Sequence, residues 1–194
     1  RLQGFLQEGV TALEVKSGYG LNLESELKML RVAKQLAKNN SVKISATFLG
    51  AHTTPTEFDT SDAYIDYLCD EVMPVVAQEK LADAVDIFCE SIGFNLEQTR
   101  KIFSKAKELG LPIKAHVDQL TNIGGAQLAA HYQARSIDHV EFMDERGVYA
   151  LKEAGTVAAP FIFYGKRSNR PLSYCVKMRC PWPLPPTATR AARR

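Results

Sequence analysis

Short apolar runs alternate with amphipathic stretches along this chain, and few folds accommodate that order. Strands are expected at Thr11–Val15, Val42–Leu49, Ala84–Cys89, Ile113–Val117, Ile137–Val140 and from Thr156 to Ala159. Between the first two, Leu23, Leu27, Leu30, Ala33, Leu36 and Ala37 recur at helical spacing within Leu23–Asn40. Leu2–Gln7 reads as the last turns of a helix closed by Gly9, and Leu96–Leu109 as a helix with Gly110 in the C-cap role. Ser61–Gln78 is helical with a break expected before Pro74. Another helix runs from Gly125 to about His131, and Asp144 caps one that ends at Gly155. Strands this short and apolar are expected to be covered on both faces, which implies a parallel sheet. No Gly-rich dinucleotide loop interrupts the βα units, which favours a (β/α)8 barrel over a doubly wound sheet. A complete barrel has eight strands and this chain supplies about six. The predicted fold is therefore α/β, a partial TIM-like barrel.

At 194 residues, one domain or part of one is the default. The net charge is +2, with no basic stripe interleaved with aromatics, so nucleic-acid binding gains no support. No apolar run reaches the ~18 residues that span a bilayer, and the first residues lack signal-peptide architecture. Cys69, Cys89, Cys175 and Cys180 show no metal-knuckle spacing, which fits free thiols in a reducing cytoplasm. The chain starts with Arg1 inside a helical pattern, as an internal fragment would.

In a parallel barrel, active sites assemble at the C-terminal ends of the strands. Lys114-Ala-His-Val-Asp-Gln119 and Ile137-Asp-His-Val-Glu141 each carry a histidine there. Imidazole is the commonest metal ligand and proton carrier near neutrality, so His116 and His139 on neighbouring strands suggest hydrolytic metal chemistry. Gln119 is able either to offer its amide to a polar substrate or to cap the next helix. His52, after Phe48-Leu-Gly-Ala, reads equally as a substrate contact or a solvated loop residue. Tyr19 sits between Gly18 and Gly20, which let the backbone present the phenol to a pocket, although tyrosine is common in turns. Glu90 ends its strand facing the same mouth, with Lys16 as a possible partner. His131 is read as a surface helix residue. The convergence of Tyr19, His52, Glu90, His116, Gln119 and His139 on successive strand ends weighs more than any one member.

The motifs Glu14-Val-Lys-Ser-Gly-Tyr-Gly-Leu21, Thr47-Phe-Leu-Gly-Ala-His52, Asp86-Ile-Phe-Cys-Glu90, Lys114–Leu120, Gly124-Gly-Ala-Gln-Leu128 and Asp138-His-Val-Glu141 resemble imidazolonepropionase, a metal-dependent amidohydrolase of histidine degradation. The resemblance covers Arg1 to about Ala159. It implies hydrolysis of the cyclic amide of 4-imidazolone-5-propanoate to N-formimidoyl-L-glutamate, with one divalent metal, zinc or iron. His116 resembles a metal ligand. His139 resembles the histidine that orients or transfers protons beside the reacting centre, and Gln119 is expected to be catalytic with it. Tyr19, His52 and Gln119 resemble substrate contacts. The family's His-x-His ligand pair and last-strand aspartate are not found in this sequence, so the piece alone is expected to be inactive. A homodimer is implied for the full-length enzyme. Other readings are a non-catalytic truncated product, or another amidohydrolase such as a heterocycle deaminase.

The texture changes after residue 159. Lys166-Arg-Ser-Asn-Arg170, Pro181-Trp-Pro-Leu-Pro-Pro186 and a terminal Ala/Arg run show no barrel-like period, as in a Pro-rich disordered tail. Back-translated one nucleotide earlier, Ile162–Pro171, Cys175–Pro183 and Pro185–Arg193 yield the family's missing helix and last strand, its aspartate encoded across Pro186 and Thr187. The expectation is a barrel segment over 1–159 and a tail over 160–194 produced by a frameshift near Ala158–Phe161.

Overall fold

A computed structural model describes residues 2–159. The expectations for 160–194, including the disordered tail, the frameshift, Cys175 and Cys180, lie outside the described residues. Six parallel strands form one sheet in chain order: β1 (Ala12–Lys16), β2 (Lys43–Ala51), β3 (Ala84–Cys89), β4 (Lys114–Val117), β5 (Ser136–His139) and β6 (Val157–Ala159). Helices α1 (Leu2–Gln7), α2 (Leu23–Asn39), α3 (Ser61–Tyr67), α4 (Met73–Gln78), α5 (Leu96–Glu108), α6 (Gly125–His131) and α7 (Glu145–Ala154) complete the βα succession. This is the expected partial (β/α)8 barrel.

Side chains alternate across each strand. Phe48, Val85, Ile87, Cys89, Ala115, Val117 and Ile137 are buried in the core that α2 (Leu27, Leu30), α5 (Ile102, Phe103) and α7 (Val148, Leu151) complete. The opposite face departs from the expected apolar cover. It carries Glu14, Lys16, Thr47, Asp86, Lys114, His116 and Asp138, joined to one another by hydrogen bonds and ion pairs.

Local signals set most boundaries. Asn22 accepts a hydrogen bond from Ser25 N–H at 2.9 Å, Asn95 and Gln98 form a capping box, and Asp144 accepts from Gly147 N–H. Gly110 and Gly155 adopt positive φ just past their helices. The break expected before Pro74 is absent. A π turn over Leu68–Val72 joins α3 to α4, so the backbone accommodates Pro74 in the first turn of α4 without leaving the helical path. β2 runs two residues beyond Leu49, with an irregular register against β3 between Phe48 and Ala51.

Candidate active site

The polar face is a connected network. Lys16 Nζ lies 2.7 Å from Asp86 Oδ2, 3.1 Å from Asp138 Oδ2 and 3.2 Å from Glu14 Oε1. Glu14 also accepts from Lys114 Nζ at 2.8 Å and Thr47 Oγ1 at 2.5 Å. The pairing of Lys16 with Glu90 suggested by the sequence is not formed: Lys16 points along the inner face, whereas Glu90 is occupied by loop amides. Burial disfavours the charge on Lys16, but Asp86 and Asp138 outweigh it and raise its pKa. Burial likewise opposes ionisation of Asp86, which is fully buried, yet His116 and Lys16 hold its pKa below the usual carboxylate range.

His116 Nδ1 lies 3.0 Å from Asp86 Oδ1. A carboxylate held ionised only accepts, so Nδ1 carries a proton, and in the neutral ring Nε2 holds the lone pair. Nε2 lies 3.6 Å from Asp138 Oδ2. Ligand atoms of Asp86, His116 and Asp138 all lie within 4.8 Å of one another, close enough to share one divalent cation. The Lys16 ammonium already lies between the two carboxylates and Asp86 is engaged by His116 Nδ1, so His116 Nε2 and the Asp138 carboxylate are the groups whose chemistry fits a metal ion.

His116 and His139 do not share a register position. His116 pairs with Asp138, and His139 with Val117, which would aim their side chains to opposite faces. His139 and Val140 instead take φ values of 80° and 74°. Such left-handed backbone costs roughly 1–3 kcal/mol per non-glycine residue. The His139 ring nonetheless lies 5.3 Å from the His116 ring, centroid to centroid, with Nδ1 3.5 Å from Glu141 Oε1. Burial, opposed by Glu141 and assisted by His116, lowers the His139 pKa, which favours its neutral form near pH 7.

A second group forms at β1 and β2. Tyr19 is 77% exposed, and its ring meets that of His52 edge-on at 5.4 Å. His52 in turn packs edge-on against Phe88, which is in register with His116. Phe88 therefore stands between the Tyr19–His52 pair and the His116–His139 pair. Gln119 is half-buried, makes no side-chain hydrogen bond among the described residues, and follows Asp118 at φ 51°. Glu90 is buried and accepts from Leu120 N–H at 2.9 Å, from the Thr121 N–H and hydroxyl, and from Ser91 N–H. Its role is to hold the loop after Gln119. His131 is exposed, as expected.

Asp86 and Asp138 were missed as site residues by sequence reasoning. The signal was present: Asp86 is an acidic residue inside an otherwise apolar strand, two positions before Phe88, and Asp138 directly precedes His139. The strand pattern assigned no inward face, so their inward aim was not read.

No protein-family model matches the chain. It is 58% identical over 173 residues to imidazolonepropionase from Paraburkholderia phymatum, covering 88% of this chain and 43% of that protein. It is 54% identical over 173 residues to imidazolonepropionase from Vibrio parahaemolyticus, with 88% and 42% covered. The chain thus spans less than half the length of these curated relatives. Among solved structures it resembles Arabidopsis ADAL complexed with IMP (TM-score 0.69, 12% identity, 93% of this chain and 57% of that one). It also resembles 5-methylcytosine deaminase from Klebsiella pneumoniae (TM-score 0.65, 13% identity, 92% and 48%). At such identities these two likenesses bear on the fold alone.

Proposed function

We propose, for a chain that belongs to the imidazolonepropionase family, that it carries part of a site hydrolysing the cyclic amide of 4-imidazolone-5-propanoate to N-formimidoyl-L-glutamate. The observation that carries this reading is His116, whose Nδ1 is tied to buried Asp86 and whose Nε2 is left as a donor beside Asp138. Zinc or iron held at His116 Nε2, with the Asp138 carboxylate nearby, would supply a polarised water near neutral pH. Asp86 fixes the ring orientation and basicity of His116, as an outer carboxylate does for a metal-bound histidine. His139, its pKa lowered chiefly by burial and its ring beside that of His116, would take up and return a proton. Tyr19 and His52 contact the substrate from the β1–β2 side, and Gln119 offers its amide from the β4 loop. Phe88, packed against His52 and in register with His116, lines the space between the two groups.

The substrate is a small molecule, and neither nucleic acid nor membrane enters the reading. No helix among the described residues is long and apolar enough to cross a membrane. Cys69 and Cys89 are free, and burial pushes each thiol up to about 11, which keeps them protonated and fits the reducing cytoplasm. A homodimer is proposed for the full-length enzyme.

The test follows two reactions in the intact protein that contains this chain. The first is conversion of 4-imidazolone-5-propanoate to N-formimidoyl-L-glutamate; the second is ammonia release from aminated heterocycles. Ring opening that is lost in His116→Ala supports the assignment. Ammonia release without ring opening would replace it with a deaminase.

A further inference from the structure

Glu26, in the first turns of α2, is buried although it carries a carboxylate. Its two oxygens accept from Gly18 N–H at 3.1 and 2.9 Å, Gly20 N–H at 3.0 Å and Leu21 N–H at 3.0 Å. Three loop amides therefore converge on one side chain. Only Tyr19, the exposed member of the loop, is passed over. The loop has no room to settle otherwise: a Cβ on Gly18, at φ 98°, would overlap Leu49 O, and one on Gly20 would overlap Ser25. Ser17 Oγ adds an acceptor for Leu49 N–H.

The loop meets the site through the Gly18 carbonyl, 2.9 Å from His52 Nδ1, and through the Tyr19 ring against the His52 ring. A carbonyl oxygen only accepts, so Nδ1 carries the proton, and in the neutral ring Nε2 is an acceptor. We infer that Glu26 is a positioning residue. By fixing Gly18, Gly20 and Leu21 it sets the Gly18 carbonyl, which holds His52 with Nε2 ready to accept a ring N–H of an imidazolone, and it holds Tyr19 at the ring edge. The substrate half rests on the function proposed above; the geometric half does not. Glu26→Gln leaves a single acceptor oxygen and turns an NH2 group toward a backbone donor. The size of the side chain is kept, while charge-assisted bonds are lost.

The experiment uses the full 194-residue chain, labelled with 15N. Hydrogen exchange at residues 18, 20 and 21, the His52 tautomer from long-range 1H–15N spectra, and a titration with 4-imidazolone-5-propanoate are read in wild type and Glu26→Gln. The expected wild-type result is slow exchange at the three amides and a His52 proton on Nδ1. In Glu26→Gln, exchange quickens, the tautomer becomes mixed, and affinity for the imidazolone falls about 10-fold, the equivalent of about 1.4 kcal/mol. Wild-type data alone decide the geometry if the variant fails to fold: a proton on Nε2 or fast exchange at these amides overturns the inference. So does a variant that keeps the tautomer, or that loses it without loss of affinity. If wild type does not bind the imidazolone but Glu26→Gln still releases His52, the positioning role stands and the substrate assignment falls.

Discussion

The two faces of one sheet are built on opposite principles. Along β3, Val85, Ile87 and Cys89 point into an apolar core, while the intervening Asp86 points into a network of charges. Along β4, Ala115 and Val117 alternate in the same way with Lys114 and His116. The helix-covered face stabilises by removing carbon from water. The inner face contributes little of that kind, since charges taken from water recover their lost hydration only when well paired. Its value lies in holding an imidazole in one tautomer and in keeping carboxylates ionised. Stability and chemistry are thus separated by the two-residue period of the strand.

Breaking the helix-covered face carries the largest expected effect. Phe103→Ala on α5 removes a fully buried ring and is expected to cost about 3–5 kcal/mol, read as a lower urea midpoint. Lys16→Met strikes the inner face and leaves buried Asp86 with His116 as its remaining side-chain partner, beside the Ile87 N–H. The expected loss is about 2 kcal/mol, below the range for fully buried pairs because Lys16 is partly solvated. Adding Asp86→Asn to Lys16→Met should recover part of that loss; additive losses in a double-mutant cycle would dissolve the network as a unit.

Glu90→Gln tests the loop beyond the sheet. Losing an ionised acceptor for Leu120 and Thr121 should cost about 1–2 kcal/mol and quicken exchange of those two amides, while Phe103 remains packed. The smallest effect is the acid response. Burial raises the pKa values of Glu14 and Glu90, but hydrogen bonds from Lys114 and Thr47 to the first, and from Thr121 and Leu120 to the second, hold both below 4.5. Depressed carboxylates contribute stability above pH 4.5, and it is lost as pH falls through their folded values. Urea midpoints should therefore fall below pH 4.5 in wild type, with a shallower slope in Glu90→Gln.

What was legible in the sequence follows the same division. The strand and helix order could be read because apolar periodicity reports on the face in contact with the helices, and Asp144, Gly110 and Gly155 mark helix ends. The site was legible where a residue type is chemically unusual for its place, as with His116, His139 and His52. Asp86 and Asp138 were hidden because their meaning depends on which face of the strand looks inward. The backbone at His139 and Val140 had no clear sequence signal: histidine tolerates positive φ but β-branched valine resists it, so the turn that brings His139 to His116 is imposed by the surrounding fold. Glu90 and Lys16 were seen, but their partners were not, since each is fixed by contacts far along the chain.

The central claim is that the inner face poises His116 as a metal-binding imidazole through Asp86. Long-range 1H–15N spectra of the histidine-labelled chain, before and after addition of zinc chloride, test it most directly. The account predicts a His116 proton on Nδ1, with the Nε2 resonance moving on zinc addition and the Nδ1 proton no longer held there in Asp86→Asn. A His116 proton on Nε2, or an Nε2 resonance unmoved by zinc, would contradict it.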